Sequence, residues 1–212
     1  MSAARPLPAV ILAGGLSRRM GTDKAAVMLA GRPLLSHVLA RLAPQAAPLG
    51  VNRPDTGTSA PDAPAFSLVP DHLPDRPGPL AGIHAAMLFA RERACPAVLT
   101  TPVDAPFIPT DVAARLAAAR ESANDPDRTV IVAESAGRTH PVAALWPAAL
   151  AEHLAAFVAT DEKRRVTGFL AGLRTVNVEF AVTDTPEGPL DPFFNINTPE
   201  DLANAARLLP YA

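Results

Sequence analysis

The sequence predicts an α/β fold, a three-layer sandwich built around a mostly parallel, Rossmann-like sheet. Two observations support this fold class. Short, wholly apolar runs alternate with segments whose apolar residues recur at helical spacing, which is the pattern of successive β–α–β units. Several apolar runs also end at an aspartate or asparagine, and parallel sheets bind ligands beyond the carboxyl ends of their strands, near the topological switch point.

The first half of the chain predicts four strands and three helices. Residues 8–12 are entirely apolar, as expected for a strand in the centre of a parallel sheet. Residues 33–42 carry leucine and valine along one helical stripe. Thr110 is the expected N-cap of the last helix in this half. The remaining strands are expected at 49–52, 66–70 and 97–103, the remaining helices at 81–93 and 110–120, and the main loops at 14–23, 53–64 and 75–80.

The second half predicts a hairpin followed by helices, one more strand and a closing helix. Two apolar runs joined by "SAGRTH" predict a pair of strands at 129–134 and 141–146 that could run antiparallel. Thr198, Pro199 and Glu200 supply an N-cap and first turn for the closing helix. The other elements are expected as helices at 148–158, 167–173 and 198–209 and as a strand at 175–180.

Composition excludes several classes of protein. The formal net charge of −2 leaves no global basic field for nucleic acid, so any anion site must be local. The longest early apolar run is too short for a membrane span or a signal peptide, so a cytoplasmic protein is expected. The single cysteine, Cys95, permits neither an intramolecular disulfide nor a cysteine-based zinc site, and we expect it to be a buried small hydrophobe.

The segment "AVILAGGLSRRMGTDK" predicts an anion site. Backbone amides at Gly14 and Gly15 would follow a buried strand without side-chain obstruction, and Arg18, Arg19 and Lys24 add cations. The segment matches neither the G-x-G-x-x-G dinucleotide fingerprint nor the Walker A pattern. The alternatives, a tight turn without a ligand and a solvated basic loop, are each reasonable alone, but together after an apolar strand they are less favoured than a phosphate site.

The same segment carries a family resemblance. "LAGGLSRRMGTDK" resembles the signature L-A-G-G-x-S-x-R-M-G-x-D-K of nucleotidyltransferases that modify molybdopterin, specifically the molybdenum cofactor guanylyltransferases of the MobA type. Further similar segments follow in the family's order: "VNRP", "VPD", "GPLAGI", "PVDAPFIP", "RTHPVAALW" and "FFNINTPEDL". The resemblance implies one nucleotidyltransferase domain over residues 1–212, with a nucleotide-binding part at about 1–110 and a pterin-binding part at about 111–212.

The resemblance also implies the reaction. GMP would pass from GTP to the terminal phosphate of molybdenum-loaded molybdopterin, with pyrophosphate as the leaving group and Mg²⁺ as the cofactor. Transient contacts with molybdenum-insertion proteins or molybdoenzyme chaperones are implied, whereas nucleic acid and membrane are not. Two polyanions must meet in such a reaction, so cations and positioning do most of the work.

Three residues are expected at the catalytic centre. Asp104 follows a strong apolar run and could hold Mg²⁺, which commonly uses only one or two carboxylates. Lys24 should contact the triphosphate, and the motif arginine, Arg19, should contact the phosphates or the incoming pterin phosphate. The alternative for Asp104 is a strand-end aspartate that caps a loop amide. The alternative for Lys24 is a surface lysine at the start of a helix.

The nucleotide side is expected to use strand-end side chains and loop backbones. Asn52 and Asp71 would hold the base and ribose, although either could be a turn-forming Asx residue. "LAGG" and "GPLAG" favour guanine, because the related cytidylyltransferases tend to have "LAAG" and lack the second segment. The expected nucleotide-binding residues are Leu12, Ala13, Gly14, Gly15, Lys24, Asn52, Asp71, Gly78, Leu80, Gly82 and Asp104.

The pterin side is expected in the second half of the chain, together with Arg19. Asn195 and Asn197 alternate in an extended stretch, so their amides should face one way. Arg138 and His140 precede the predicted strand at 141–146 and could contact the pterin; His140 could equally be a structural hydrogen-bonding residue. The alternative functions are a CTP-dependent sister enzyme, a sugar-phosphate or phospholactate nucleotidyltransferase, and a non-catalytic nucleotide sensor or cofactor chaperone on the same fold.

Overall fold

The computed structural model describes residues 7–14, 23–53, 64–73, 78–161 and 163–212. Its strands are β1 (Ala9–Leu12), β2 (Met28–Leu29), β3 (Arg32–Pro33), β4 (Leu49–Asn52), β5 (Ser67–Leu68), β6 (Ala97–Pro102), β7 (Thr129–Ser135), β8 (Arg138–Pro147), β9 (Arg174–Glu179), β10 (Thr183–Thr185) and β11 (Gly188–Leu190). Its α-helices are α1 (Leu34–Leu42), α2 (Pro79–Arg91), α3 (Val112–Glu121), α4 (Ala151–Thr160), α5 (Val166–Leu170) and α6 (Pro199–Leu208).

The central sheet has seven strands in the order β5-β4-β1-β6-β8-β7-β9. Strand β1 lies in the middle and pairs in parallel with both β4 and β6. Only β8 runs against its neighbours β6 and β7, whereas β7 and β9 are parallel. The predicted mostly parallel sheet is therefore confirmed, and the chain reverses its direction of growth across the sheet at β1, where β4 and β6 lie on opposite sides.

Helices cover both faces of this sheet, which confirms the three-layer prediction. On one face, α1 and α3 pack through residues such as Leu39 and Leu116 against Ile11. On the other face, α2, α4 and α5 pack through residues such as Ile83 and Phe169. Because alternate residues of each buried strand point to opposite faces, Val10 and Ile11 belong to different cores. None of the helices in the described part of the chain has the length and apolar character of a membrane-crossing segment.

Most predicted elements occur close to their expected positions, but the two predicted helix caps have different outcomes. The closing helix α6 begins at a complete capping box, in which Thr198 Oγ1 accepts from Asp201 N (3.1 Å) and Asp201 Oδ2 accepts from Thr198 N (2.9 Å). The prediction of Thr110 as the N-cap of α3 is wrong: that helix begins at Val112 after Asp111, which makes no side-chain capping bond. Cys95 is buried as predicted.

Two small hairpins are not predicted by the sequence, because strands of two or three residues carry almost no periodic signal. Strands β2 and β3 pair antiparallel, as do β10 and β11. Both hairpins contribute to a third apolar cluster outside the main layers, in which Leu29 and Leu190 pack with Ile196 and with Leu208 of α6. This cluster places the segment before α6 beside the carboxyl edge of the sheet.

Strand β8 is irregular next to that edge. Its pairing with β7 shifts register between Val132 and Ala133, which face Ala144 and His140, so β8 bulges at residues 141–143. The side chain of Thr100 fixes the bulge from the neighbouring strand, because its Oγ1 donates to the Val142 carbonyl (2.7 Å). The same hydroxyl accepts from Trp146 Nε1 (2.9 Å).

The paired threonines of β6 provide a test of this anchor. Thr100 and Thr101 are both fully buried, but only Thr100 has side-chain partners, whereas no partner for Thr101 Oγ1 is found in the described part of the chain. We expect Thr100→Val to lower the free energy of unfolding by about 1–3 kcal/mol, because it leaves a buried indole N–H without an acceptor. Thr101→Val should leave the free energy of unfolding unchanged or higher, because no hydrogen bond is removed. Urea denaturation measures both, and equal stabilities of the two variants would contradict the anchor.

Candidate active site

A cavity of about 660 Å³ opens at the carboxyl ends of β1, β4 and β6 and at the start of the antiparallel strand β8. Its volume is in the range of small-molecule sites. The switch in strand order at β1 leaves this space, as expected for an open α/β sheet. The predicted site residues that line it are Leu12, Ala13, Gly14, Lys24, Asn52, Gly78, Asp104, Arg138, His140, Asn195 and Asn197.

Lys24 joins two distant parts of the chain in this cavity. Its Nζ donates to Asp104 Oδ2 (2.6 Å) and to Asn197 Oδ1 (2.7 Å). The side chains of Lys24 and Asp104 are only 18% and 16% exposed, so Lys24 is not a solvated surface lysine. Among the described residues, the Asp104 carboxylate bonds to this ammonium rather than capping a loop amide.

Each member of this cluster is held by its own segment. Lys24 opens a short 3₁₀ turn whose N-cap, Asp23, accepts from Ala25 N (3.0 Å). Asp104 follows β6, and its carbonyl accepts from Ile196 N (2.9 Å). Asn197 is anchored by the capping residue Asp201, whose Oδ2 also accepts from Asn197 N (2.9 Å). The start of α6 therefore fixes the backbone of Asn197 beside Asp104.

Asn52, at the end of β4, is buried and oriented without ambiguity. Its Nδ2 donates to the Val69 carbonyl (2.9 Å) and to Asp71 Oδ1 (2.8 Å). Both partners are acceptors, so the amide nitrogen must face them and Oδ1 remains as an acceptor beside the cavity. The side chain thus bonds residues 17 and 19 positions away, which is not the behaviour of a turn-forming Asx residue.

Three of the predicted nucleotide residues are not among those that line the cavity. Asp71 holds the amide of Asn52. Leu80 is fully buried in the core under α2. Gly82 lies under Asn52, where an added Cβ would be 2.4 Å from Asn52 Oδ1. Asp71 and Gly82 therefore act on the site through the side chain of Asn52.

An ion pair that the sequence does not predict lies beside Lys24. Arg53 donates to Asp23 Oδ2 (2.7 Å), and its side chain is 5% exposed. The pair links the residue after β4 to the residue before Lys24. Arg53 lies in the segment "VNRP", and Asp23 lies in "LAGGLSRRMGTDK". Their positions in two separate family motifs are the sequence feature that could have pointed to this ion pair.

The opposite wall of the cavity is formed by β8 and the segment before α6. Arg138 and His140 lie within β8, so the expectation that they precede the strand is wrong; the strand begins earlier because a two-residue turn at 136–137 closes the hairpin. His140 Nε2 is 2.7 Å from Ser135 Oγ, and its ring stacks on Phe193 at 4.7 Å. Burial lowers the pKa of His140 below its usual value, although Asp191 opposes the shift.

Asn195 and Asn197 both line the cavity, while Ile196 between them is buried. This alternation agrees with the expected common direction of the two amides. Gly15, Arg18 and Arg19, and most of the loops expected at 14–23 and 53–64, lie outside the described residues.

Comparisons with known proteins agree with one another. The profile of the MobA-like NTP transferase domain matches residues 9–177. A molybdenum cofactor guanylyltransferase of Rhizobium meliloti (strain 1021) is 51% identical over 209 residues, which are 96% of this chain and 92% of the relative. One of Bradyrhizobium sp. (strain ORS 278) is 44% identical over 206 residues, which are 95% of this chain and 92% of that relative.

Solved structures show the same fold. The molybdopterin-guanine dinucleotide biosynthesis protein A of Archaeoglobus fulgidus superposes with a TM-score of 0.71 at 23% identity, over 97% of this chain and 100% of that one. A 2-C-methyl-D-erythritol 4-phosphate cytidylyltransferase of Thermus thermophilus gives a TM-score of 0.62 at 22% identity, over 97% of this chain and 99% of that one.

Gly82 offers a test of the Asn52 geometry. We expect Gly82→Ala to lower the free energy of unfolding by about 1–3 kcal/mol, because the methyl group forces the buried Asn52 amide off its two acceptors. The matched control is Gly168→Ala in α5, where an added Cβ would meet Phe157 Cζ at an ordinary 3.6 Å. That variant should be neutral or stabilised by up to about 1 kcal/mol. Denaturant unfolding measures both, and a fully stable Gly82→Ala protein would contradict the packing.

Proposed function

Because this chain belongs to the MobA-like NTP transferase family, we propose that it is a molybdenum cofactor guanylyltransferase. It transfers GMP from GTP to the terminal phosphate of molybdenum-loaded molybdopterin and releases pyrophosphate, forming the guanine dinucleotide form of the cofactor. Relatives that carry this name are 42–51% identical over nearly the full chain. The cytidylyltransferase likeness, at 22% identity, concerns the fold alone.

The observation that carries the proposal is the convergence on Lys24. The Lys24 ammonium, in the part proposed to bind the nucleotide, contacts the strand-end carboxylate of Asp104 and the amide of Asn197, in the part proposed to bind the pterin, inside one cavity. A transferase that joins two phosphate-bearing substrates needs such a cation where they meet, because the substrates repel each other.

Lys24 is proposed to act on the triphosphate. The oxygen of the acceptor phosphate attacks the α-phosphorus of GTP, and the bond to the bridging oxygen of pyrophosphate breaks. Negative charge develops on that oxygen, and the Lys24 ammonium can stabilise it. Lys24 Nζ donates to Asp104 and Asn197, and an ammonium has three N–H donors, so one donor is left for a triphosphate oxygen.

Asp104 is the residue proposed to hold Mg²⁺. It provides a hard oxygen ligand at the cavity, and the described residues contain no cluster of three or more His, Cys, Asp or Glu that could form a complete protein cage. Mg²⁺ suits this arrangement, because it commonly takes one or two carboxylates together with water and phosphate oxygens. Bound there, the ion would neutralise charge on the triphosphate.

The nucleotide base is proposed to lie near Asn52 and the backbone of residues 12–14. Guanine carries N1–H and N2–H₂ donors, and Asn52 Oδ1 is an acceptor fixed by the two bonds of its nitrogen. Asp71 supports this amide and could also reach the ribose. Gly15, Gly78, Leu80 and Gly82 remain proposed as parts of the same nucleotide region.

The acceptor is proposed to occupy the other wall, formed by Arg138, His140, Asn195 and Asn197. Arg138 supplies a cation beside the acceptor, and the two asparagines supply amides. Arg19 stays a proposed phosphate ligand. Contacts with molybdenum-insertion proteins or molybdoenzyme chaperones, and a cytoplasmic location, also remain predictions.

A nucleotide panel tests the reaction. The protein, Mg²⁺ and molybdenum-loaded molybdopterin should release pyrophosphate with GTP and much more slowly with CTP, ATP or UTP, because only guanine presents its N1–H and N2–H₂ pair to the site. Pyrophosphate release and the dinucleotide product are both measured. Faster reaction with CTP would overturn the base assignment, and reaction only with a sugar phosphate would overturn the acceptor.

Asp104 provides a test of the catalytic centre. Asp104→Ala should lower kcat by at least about 100-fold, because the proposed metal ligand is lost. Its circular dichroism should match that of the wild type, since Lys24 keeps its bond to Asn197. The matched control is Asp111→Ala, which removes an exposed aspartate without side-chain capping bonds and should leave kcat unchanged. Wild-type turnover by Asp104→Ala would remove the metal role.

A further inference from the structure

A second polar cluster joins His140 of the acceptor wall to Ser135 and Asp191, and neither Ser135 nor Asp191 has a role in the steps above. Ser135, at the end of β7, is fully buried, and its Oγ is 2.7 Å from both His140 Nε2 and Asp191 Oδ1. Asp191 follows β11, and the same Oδ1 accepts from Phe193 N (2.9 Å). The cluster therefore ties the β7–β8 hairpin to the segment that leads into Asn195 and Asn197.

Hydrogen-bond polarity sets the direction of this chain of contacts. The Asp191 carboxylate can only accept, so the single hydroxyl proton of Ser135 points to Asp191. Ser135 Oγ must then accept from His140, which places a proton on Nε2 of the imidazole. In the neutral ring the other nitrogen, Nδ1, carries a lone pair and is an acceptor.

Nδ1 is the ring atom of His140 that remains for a ligand. His140 lines the cavity, and no hydrogen bond of Nδ1 is found in the part of the chain that the structure describes. The stacked Phe193 holds the plane of the ring, and Phe193 itself packs edge-on against Phe180 at 5.3 Å. Orientation and tautomer of the ring are thus both determined before any ligand enters.

We propose that Asp191 and Ser135 are positioning residues that hold His140 with Nδ1 as a hydrogen-bond acceptor for an N–H group on the ring of the acceptor substrate. This inference rests on the proposed function, because it assigns the heterocyclic part of the acceptor to this wall. It also gives the site a selectivity: a ring that presents an N–H donor is favoured over one that presents only acceptors.

The charges around His140 agree with an acceptor role. Burial lowers the pKa of the ring and Arg138 lowers it further, while Asp191 and Glu134 raise it; the net direction is downward. The ring is therefore neutral near pH 7, with its Nδ1 lone pair available. As the pH falls through the lowered pKa, Nδ1 gains a proton and becomes a donor, so affinity for an N–H group is lost on the acid side.

Ser135→Ala tests the positioning. We expect the KM for molybdopterin to rise about tenfold, as for the loss of one well-placed hydrogen bond, while kcat and the KM for GTP stay unchanged. The matched control is Ser36→Ala, because Ser36 is equally buried and its Oγ has no partner among the described residues. This control should leave all three constants unchanged.

Two further variants separate positioning from a merely structural role. His140→Phe keeps an aromatic ring on Phe193 but removes the hydrogen-bond acceptor. It should therefore raise the KM for molybdopterin, and that KM should no longer rise further as the pH falls. Asp191→Asn keeps an oxygen for Ser135 and Phe193 but removes the charge that raises the pKa of His140, so the acid-side rise should move to lower pH. Titration of the acceptor's own phosphate is common to all variants and cancels in the comparison.

The outcomes distinguish this inference from the function on which it rests. Wild-type protein that fails to transfer GMP to molybdopterin overturns both. Wild-type transfer combined with an unchanged molybdopterin KM in Ser135→Ala and His140→Phe overturns the inference alone, as does an unmoved pH profile in Asp191→Asn. If Ser135→Ala does not fold, the His140→Phe and Asp191→Asn results decide it.

Discussion

The two hydrogen bonds of the Lys24 ammonium are the contacts on which the architecture of the site depends. Asp104 and Asn197 stand 80 and 173 positions from Lys24 in the chain, and a single side chain joins them. The sheet brings Asp104 to the carboxyl edge, and the capping box of α6 brings Asn197 there. In a partly buried site, such an ammonium cannot lose both partners without a replacement, and a triphosphate is a suitable one. This replacement is part of the proposed function of Lys24.

The antiparallel strand β8 gives the cavity its second wall. An all-parallel sheet would turn another carboxyl edge toward the cavity, whereas β8 turns its amino end there and contributes Arg138 and His140. Its bulge is fixed by Thr100, from the strand that leads to Asp104. Strand β6 thus supports both walls, so distortion of the core beneath β6 should be transmitted to both walls of the cavity.

The parts of the molecule that can be predicted are those with local signals. Continuous apolar runs mark the central strands, and the order Thr198, Pro199, Glu200 marks the start of α6. A long motif surrounds Asp104 and another surrounds Lys24, which is why the sequence predicts both at one site, and the structure brings both to one cavity. The Asp23–Arg53 pair and the Ser135–Asp191 contact cannot be predicted, since each joins segments that meet only through the tertiary fold. Thr110 is not the cap because the helix begins at Val112, so that Asp111 occupies the cap position without a side-chain capping bond.

Lys24 and Asp104 are proposed to form the phosphate-binding centre between two substrate walls. A crystal structure with Mg²⁺ and a GTP analogue that cannot be cleaved between the α- and β-phosphates tests this centre most directly. We expect Lys24 Nζ on a phosphate oxygen, Asp104 on the metal and the guanine edge at Asn52 Oδ1. A triphosphate bound elsewhere, with the 2.6 Å Lys24–Asp104 contact intact and no metal at Asp104, would contradict the proposal.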